Sequence, residues 1–248
     1  MVRTLFLCLA CIALIQPLRA QTTGLAKDAP SFVFGLSSPP DSPLGQWQRR
    51  VYSEALRRLG LRLVVAEVPL ARLSMLASQG GIDGDIARAA PYAAEHPDMV
   101  RVEMSIITAV FNVYSGRPMP DINRLEQLRD SALVAAYHRG VVGCEKTLKE
   151  LLPPARLNGV SKTAQALRML ERGHVQLFCE VNTEMINEPL AQDMLDGGRL
   201  HKLFSIGAPM PLHAYLQRRH AELAVKLANT LRQMKDEGLL DRYWSAGQ

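Results

Sequence analysis

The chain has 248 residues, of which 48% are hydrophobic and 21% charged, and its 29 lysines and arginines outnumber its 24 aspartates and glutamates, for a formal charge of +5. Disordered proteins contain fewer apolar residues, so this composition indicates a globular protein. The small positive excess comes without a long basic run or interleaved aromatic residues, which argues against a nucleic-acid-binding protein.

The first twenty residues, MVRTLFLCLACIALIQPLRA, predict a secretory signal peptide. Arg3 precedes an apolar run from Leu5 to Ile15, and the small residue Ala20 closes the segment. We predict cleavage after Ala20 and export to the periplasm. The apolar run is about half of the roughly 20 residues that a membrane-spanning helix needs, so we expect the mature chain to be soluble.

From Ser31 onward, short apolar runs alternate with amphipathic segments, a pattern that predicts strands interleaved with helices and hence parallel sheets. Trp47, Val51 and Ala55 share one face of the first helix, and Gly60 ends it. The predicted elements are a strand at 31–38, a helix at 45–60, a strand at 61–69, a helix at 70–81, a strand beginning at 82, and an extended crossing at 99–115.

A second block then repeats the pattern. The predicted elements are a strand at 131–140, a helix at 141–153, a strand at 155–160, a helix at 161–173, a strand at 175–181, a helix at 182–198, strands at 200–207 and 211–217, and a final helix at 220–238. Ser161 or Thr163 is expected to cap the helix that ends at Gly173.

These two blocks predict an α/β protein with two lobes, each a mostly parallel sheet flanked by helices, and a cleft between them. We assign residues 21–110 and 205–248 to the first lobe and residues 111–204 to the second. Ligands bind outside the carboxyl ends of strands in such sheets. The segments expected at the cleft are GLSSPPDSP (35–43), IDGDIARAAPY (82–92), AAYHRGVVG (135–143) and LFCEVN (177–182).

The order of these elements, with the phrases IDGDIAR, HPDMVRVEMSI, AAYHRGVVGCEKTL and SKTAQALRMLERGHVQLFCEV, resembles family 3 of the bacterial extracellular solute-binding proteins. The resemblance runs from about Ser31 to Trp244. It implies a type II periplasmic binding protein that closes about a hinge on a small polar ligand. Its partners would be the membrane subunits of an ABC importer or a sensor protein. We expect a monomer without cofactor, metal or nucleic acid.

The resemblance also assigns site residues. In amino-acid-binding members, an arginine after the third strand holds the ligand carboxylate, and an acidic residue ending a second-lobe strand holds the amino group. Glu180 falls at the acidic position. The arginine position lies within AAPYAAEHPD, which has no arginine, and Arg88 comes earlier. This departure leaves open whether the ligand is a free α-amino acid.

Charged residues of the first lobe suggest how an anion would be held. The planar fork of donors on Arg88 suits a carboxylate or a phosphate. Asp83 and Asp85 alternate along the strand and are expected to share a face, one of them orienting an arginine; for Asp83 we expect a structural role. Arg72 lies in the first turn of a helix, where the helix dipole disfavours a cation. Its partner is expected to be the ligand or Asp85, and an exposed arginine that tolerates the small penalty is the open alternative.

Further ligand-binding candidates follow the strands of both lobes. Glu180 ends an otherwise apolar strand, where a carboxylate is unlikely to fill the core. The remaining candidates are Ser38, Tyr137, Arg139 and the backbone amide of Val142 at a helix start. For Tyr137 a core position, and for Arg139 a surface position, are the open alternatives.

Two cysteines, Cys144 and Cys179, follow the leader. A pair in an oxidising compartment forms a disulfide where geometry allows, and spacing alone leaves that open.

No familiar catalytic motif is present: the chain lacks the H-E-x-x-H, G-x-S-x-G, Walker and G-x-G-x-x-G patterns, and its six histidines have no metal-ligand spacing. We therefore predict a binding protein rather than an enzyme. One alternative is a periplasmic enzyme resembling cyclohexadienyl dehydratase, in which Arg88 holds a substrate carboxylate and Glu180 moves a proton. Another is a sensory ligand-binding protein.

Overall fold

The computed structural model of the chain describes residues 29–36, 38–66 and 70–246, apart from the side chains of Leu70, Ala71 and Ser74. The predicted signal peptide and its cleavage site lie outside these residues. Within the described ranges, no helix combines the length and the apolar character needed to cross a membrane.

The strands are β1 (Ser31–Gly35), β2 (Arg62–Ala66), β3 (Gly84–Arg88), β4 (Met99–Arg101), β5 (Ile107–Ser115), β6 (Ala135–His138), β7 (Leu157–Val160), β8 (Leu177–Val181) and β9 (His201–Gln217). The helices are α1 (Pro43–Arg58), α2 (Leu70–Ser78), α3 (Tyr92–Glu95), α4 (Val142–Leu151), α5 (Thr163–Glu171), α6 (Asn182–Asn187), α7 (Pro189–Asp196), α8 (Ala221–Asp236) and α9 (Leu239–Ser245). Most predicted elements are present, with shorter strands.

The strands follow the order β2-β1-β3-β9-β5-β8-β6-β7, with β4 beside β9. At one end β1 pairs in parallel with β2 and β3, and at the other β6 pairs in parallel with β7 and β8. The long strands β5 and β9 run antiparallel to each other between the two ends. The two parallel blocks expected from the sequence are therefore present, joined by extended crossings.

Buried apolar side chains form separate cores in the two blocks. The core beneath α1 and α8 draws on residues up to Ile107 and from Ala214 onward, whereas two other clusters draw on residues from Val113 to Ile206. The boundaries predicted near residues 110 and 205 fall within β5 and β9, which run through both blocks. The exact division of the chain stays a prediction.

Helix α1 shows why the local sequence folds as expected. Ser42 accepts a hydrogen bond from the amide of Gly45 at 3.1 Å, and a proline occupies the first turn, where its missing N–H costs nothing. Trp47, Val51 and Ala55 are buried along one face. Gly60 has a φ of 75°, which ends the helix in the left-handed region.

Three elements differ from the prediction. The extended crossing expected at 99–115 is two strands, β4 and β5, with residues 102–106 between them. The segment expected as one helix from 182 to 198 is broken at Glu188 because Pro189 disfavours helical backbone in the preceding residue. The two strands expected at 200–207 and 211–217 are one strand, β9. The gap between them is a bulge, since Ala109 pairs with Met210 while Phe111 pairs with Ile206.

The disulfide that the sequence left open is present. Cys144, at the start of α4, is bonded to Cys179 of β8, with 5.6 Å between their Cα atoms. The bond fixes the first turn of α4 against the strand that carries Glu180.

Candidate functional site

Arg88, the last residue of β3, is held by Asp85. Its Nε donates to Asp85 Oδ2 at 2.8 Å, and its Nη2 lies 2.7 Å from the same oxygen without the alignment of a hydrogen bond. The Tyr92 hydroxyl donates to this oxygen at 3.2 Å, and the guanidinium lies over the Tyr92 ring. Within the described residues, Nη1 of Arg88 makes no hydrogen bond, so it is free to donate to a ligand.

A β-bulge explains how Arg88 reaches Asp85. Residues three apart on a regular strand point to opposite faces. Here the pairing of β3 with β9 shifts between Asp85 and Arg88, and Ala87 has a φ of 65°. The bulge turns Arg88 toward the Asp85 side. A non-glycine residue at positive φ is strained, and such strain is concentrated at functional sites.

Asp85 is completely buried, and its Oδ1 has no hydrogen-bond partner within the described part of the chain. Burial raises the pKa of Asp85, and this effect outweighs the opposing charge and hydrogen bond of Arg88. The buried carboxylate of Asp85 is therefore placed to orient the guanidinium of Arg88 and not to contact a ligand itself.

Asp83 has partners of its own. It accepts hydrogen bonds from the Val33 amide at 2.9 Å and from Arg219 Nη2 at 2.8 Å, and His220 Nε2 lies 2.9 Å away. Burial alone would raise the pKa of Asp83, but these three groups together lower it. Asp83 shares no hydrogen-bond partner with Asp85, and its contacts are those of a structural residue.

Glu180, the predicted second-lobe contact, is completely buried at the end of β8. Its Oε2 accepts from the Thr163 hydroxyl at 2.8 Å and lies 3.0 Å from His138 Nδ1, while its Oε1 accepts from the Val181 amide at 3.0 Å. The predicted caps of α5 are wrong. Lys162 occupies the cap position, where its ammonium cannot accept a hydrogen bond from the backbone, and the Thr163 hydroxyl donates to Glu180 instead.

His138 ends β6, beside β8, and its side chain is 23% exposed. The hydrogen bond to Glu180 is the main cause that raises the pKa of His138 above its ordinary value, with the charges of Glu180 and Glu184 and the backbone of Ser161 adding to it. Glu184 is exposed, yet reduced hydration among its neighbours raises its pKa, and the charge of Glu180 adds to this effect. The end of β6 and the first turn of α6 thus present to solvent an imidazole whose protonated form is favoured and a carboxyl group.

A buried polar network lies beside this pair in β5. Asn112, which is opposite Glu180 in the sheet, accepts from the Ser205 hydroxyl at 2.8 Å and donates to the Tyr114 hydroxyl at 3.2 Å. Because buried polar groups that are fully paired fix one geometry, this network helps to hold the strand end in place.

The remaining predicted residues are dispersed. Val142 is 71% exposed at the first position of α4, whose start has no side-chain cap. Arg139 is exposed and donates to the Ser161 hydroxyl at 3.2 Å. Tyr137 is buried in the core beneath α4, and Ser38 is also buried. Arg72 is exposed and has no hydrogen bond to Asp85.

Contacts between the two blocks are made close to the crossing strands. The Leu44 amide of α1 donates to Asn187 Oδ1 of α6 at 3.2 Å, and Asn182 exchanges hydrogen bonds with the backbone of Val110 and Thr108. No hydrogen bond or ion pair between described residues joins the Arg88 cluster to the His138 cluster. The described residues also contain no group of three potential metal ligands.

Sequence reasoning missed His138, Thr163 and Tyr92 as members of these clusters. The sequence did contain a signal for His138. His138 ends β6, which is parallel and adjacent to β8, and Glu180 lies at the end of β8. A contact between the two side chains was therefore foreseeable. Nothing local indicated Thr163 or Tyr92, because each reaches its carboxylate from a different helix.

Comparison with known proteins gives no matching family model. An uncharacterized protein of Shewanella oneidensis is 27% identical over 198 residues, which cover 80% of this chain and 74% of that protein.

Solved structures are similar in fold at low identity. An ancestral cationic amino acid solute-binding protein has a TM-score of 0.68 at 17% identity, covering 87% of this chain and 94% of its own. The second substrate-binding domain of a putative amino acid ABC transporter from Streptococcus pneumoniae has 0.63 at 14%, covering 87% and 98%. A histidine kinase sensor domain similar to periplasmic binding proteins has 0.62 at 16%, covering 89% and 97%. The chain therefore has the two-lobed fold of the type II periplasmic binding proteins.

Proposed function

We propose that this protein is a periplasmic solute-binding protein that captures a small polar ligand carrying a carboxylate by closing its two lobes. The observation that carries the proposal is the Arg88 cluster. A guanidinium that is held by a buried carboxylate and keeps Nη1 free is preorganised to hold a planar anion. Asp85 and Arg88 would thus form the first-lobe half of the site, and Arg72 and Ser38 stay further first-lobe candidates.

The second half of the site would come from the strand ends of the other lobe. His138 ends β6 beside Glu180, and Arg139 and the amide of Val142 follow it in the chain. No hydrogen bond or ion pair among the described residues joins the two halves, so a ligand that contacts both would favour closure by binding the closed state better than the open one. The hinge would be formed by β5 and β9, which connect the two sheets.

The proposed solute-binding function also suggests the location and the partners of the protein. The leader would direct the chain to the periplasm, where either importer membrane subunits or a sensor protein would detect closure. The solved relatives include domains of both kinds, which supports ligand binding for either role.

One observation favours an enzyme as the second candidate. An exposed carboxyl group with a raised pKa, such as Glu184, is a candidate for proton transfer. A structure of the ancestral amino acid-binding protein is described as a precursor of cyclohexadienyl dehydratase. An enzyme would convert its ligand, whereas a binding protein would return it unchanged.

The test is calorimetric titration of the mature chain, unfolded and refolded to release bound compounds, with succinate, glutarate, butyrate, L-glutamine and L-arginine. Bound compounds are then analysed by mass spectrometry for conversion. We expect at least one carboxylate to bind and to be recovered unchanged. Recovery of a dehydrated or decarboxylated product would favour the enzyme, and absence of binding by every probe would refute the proposed function.

A paired variant tests the assigned anchor. Arg88→Gln alone would leave Asp85 buried and unpaired, so we combine it with Asp85→Asn, which keeps the shape and removes both charges. We expect the double variant to fold and to bind at least tenfold more weakly. Arg57→Gln, which removes a guanidinium from the outer face of α1, is the matched control and should bind normally. Unchanged ligand affinity in the double variant would show that Arg88 and Asp85 do not belong to the ligand site.

A further inference from the structure

Glu180 is poorly placed to take the amino group that the resemblance assigns to it. Its side chain has no exposed surface, and three donors, from His138, Thr163 and Val181, already surround its two oxygens. A ligand ammonium would have to displace at least one of these donors and leave that group unpaired in a buried position, which is costly.

His138 is the member of this network that solvent reaches. Its Nδ1 faces Glu180, so the opposite edge of the ring is the edge that a ligand would meet. An imidazole held against a buried carboxylate is stabilised in its charged form, and an imidazolium has donors on both ring nitrogens and no acceptor. The group offered to the ligand is therefore a cationic donor.

The groups around His138 are consistent with this charge. Glu180 of β8 and Glu184 of α6 are acidic, and Thr163 of α5 is a neutral donor to Glu180. The Ser161 backbone, after β7, forms a hydrogen bond with His138 that also raises the pKa of the imidazole. Arg139, the next residue in the chain, is a further exposed cation and is turned toward Ser161. Three donors already satisfy the oxygens of Glu180, which is buried. The exposed acidic side chain near His138 is therefore that of Glu184.

We propose that the second lobe binds a carboxylate through His138, so that the ligand is a small dicarboxylate held by Arg88 at one end and by His138 at the other. This inference rests on the proposed function for the binding of one carboxylate by Arg88. It goes beyond that function by assigning a second carboxylate of the ligand to His138. Glu180 acts as a positioning residue that holds the imidazolium in place.

The test compares His138→Gln with His174→Gln, a second-lobe histidine that is exposed at the turn before β8. Calorimetry with succinate and glutarate, against butyrate, L-glutamine and L-arginine, measures affinity in the full mature chain. We expect His138→Gln to weaken dicarboxylate binding at least tenfold and His174→Gln to leave it unchanged. Circular dichroism melting of each variant confirms folding.

A pH series separates binding from a structural role. The wild-type affinity for glutarate should fall as pH rises above about 6.5, the ordinary pKa of histidine, because the raised pKa of His138 places the loss of its proton above that value. His138→Gln should show no such fall. Glu180→Gln should move the fall to lower pH while keeping the low-pH affinity, since the neutral amide no longer holds the proton on the ring.

The outcomes distinguish this inference from the proposed function. Binding of L-arginine, L-glutamine or butyrate in preference to both dicarboxylates would overturn the inference and keep a solute-binding protein. Glutarate binding that His138→Gln leaves unchanged would overturn it as well. Failure of every probe to bind the wild-type chain would refute both proposals together.

Discussion

Arg88 and Asp85 show how a single backbone irregularity assembles a charged cluster. The positive φ of Ala87 and the register shift beside it bring two residues three apart onto one side of β3. The resulting ion pair is buried at the Asp85 end and open at the Arg88 end, where its side chain is 12% exposed. Such an ion pair holds the guanidinium in one orientation while some of its N–H groups make no hydrogen bond within the described residues.

Gly143 gives a prediction at the same scale. It lies in the first turn of α4, where an added Cβ would be 2.4 Å from the Phe111 ring. Alanine in a helix is usually favoured over glycine by about 1 kcal/mol. Here we expect Gly143→Ala to lower the free energy of unfolding by about 1–3 kcal/mol, as overpacked substitutions do. Urea denaturation measures the change.

The matched background for this substitution is Phe111→Leu, which removes the ring that the new methyl group would meet. On that background Gly143→Ala should cost less than in the wild type. A neutral or stabilising effect of Gly143→Ala alone would show that the strand and helix separate easily, and would contradict the close contact.

At the scale of elements, the second lobe depends on the attachment of α4 to β8. The disulfide joins the start of α4 to the residue before Glu180. The same bond therefore holds in place both the first turn of α4 and the strand that carries Glu180, the partner of His138. Alternate residues of β6 and β8 face opposite cores, with Tyr137 and Cys179 toward α4 and Ala136 and Phe178 toward α5. The bond therefore fixes the strand end from the side away from Thr163.

We expect removal of this disulfide to lower stability substantially. The bond closes a loop with a sequence separation of 35 residues, for which chain entropy predicts a loss of roughly 3–4 kcal/mol. The double variant Cys144→Ala, Cys179→Ala should show this loss in urea denaturation. A reductant should lower the melting temperature of the wild type but not of the double variant; an unaffected wild type would contradict the bond's contribution.

At the scale of the whole molecule, β5 and β9 are the strands at which the proposed closure would bend. Both strands pass from one sheet to the other, and the bulge in β9 leaves residues 207–209 exposed, with Gly207 at a φ of 69°. Few hydrogen bonds join the blocks outside this crossing. Bending at two strands requires only small dihedral changes, so closure need not disturb either core.

Ligand binding should therefore make the molecule more compact. On addition of a ligand identified by calorimetry, we expect the radius of gyration in X-ray scattering to fall toward the roughly 17 Å of a compact chain of this size. The Asp85→Asn, Arg88→Gln variant should show no change at the same ligand concentration. An identical radius with and without bound ligand in the wild type would contradict hinge closure.

Much of the fold follows from the sequence alone. Apolar periodicity predicted α1 and α8 and the buried runs of β1 and β8 because burial of one face imposes a period that local sequence records. Gly60 and Gly173 marked helix ends for an equally local reason, their positive φ. The charged residues at the strand ends, Arg88 and Glu180, were also identified, since a charge ending an apolar strand is visible in the sequence.

The tertiary structure alone decided how those charges are used. The bulge that turns Arg88 onto Asp85 depends on pairing with β9, more than 120 residues away in the chain. The burial of Glu180 depends on His138 and Thr163, which reach it from another strand and a helix. Sequence determines which groups stand at an edge of a sheet, but partners from distant segments determine which of those groups are already satisfied and which remain for a ligand.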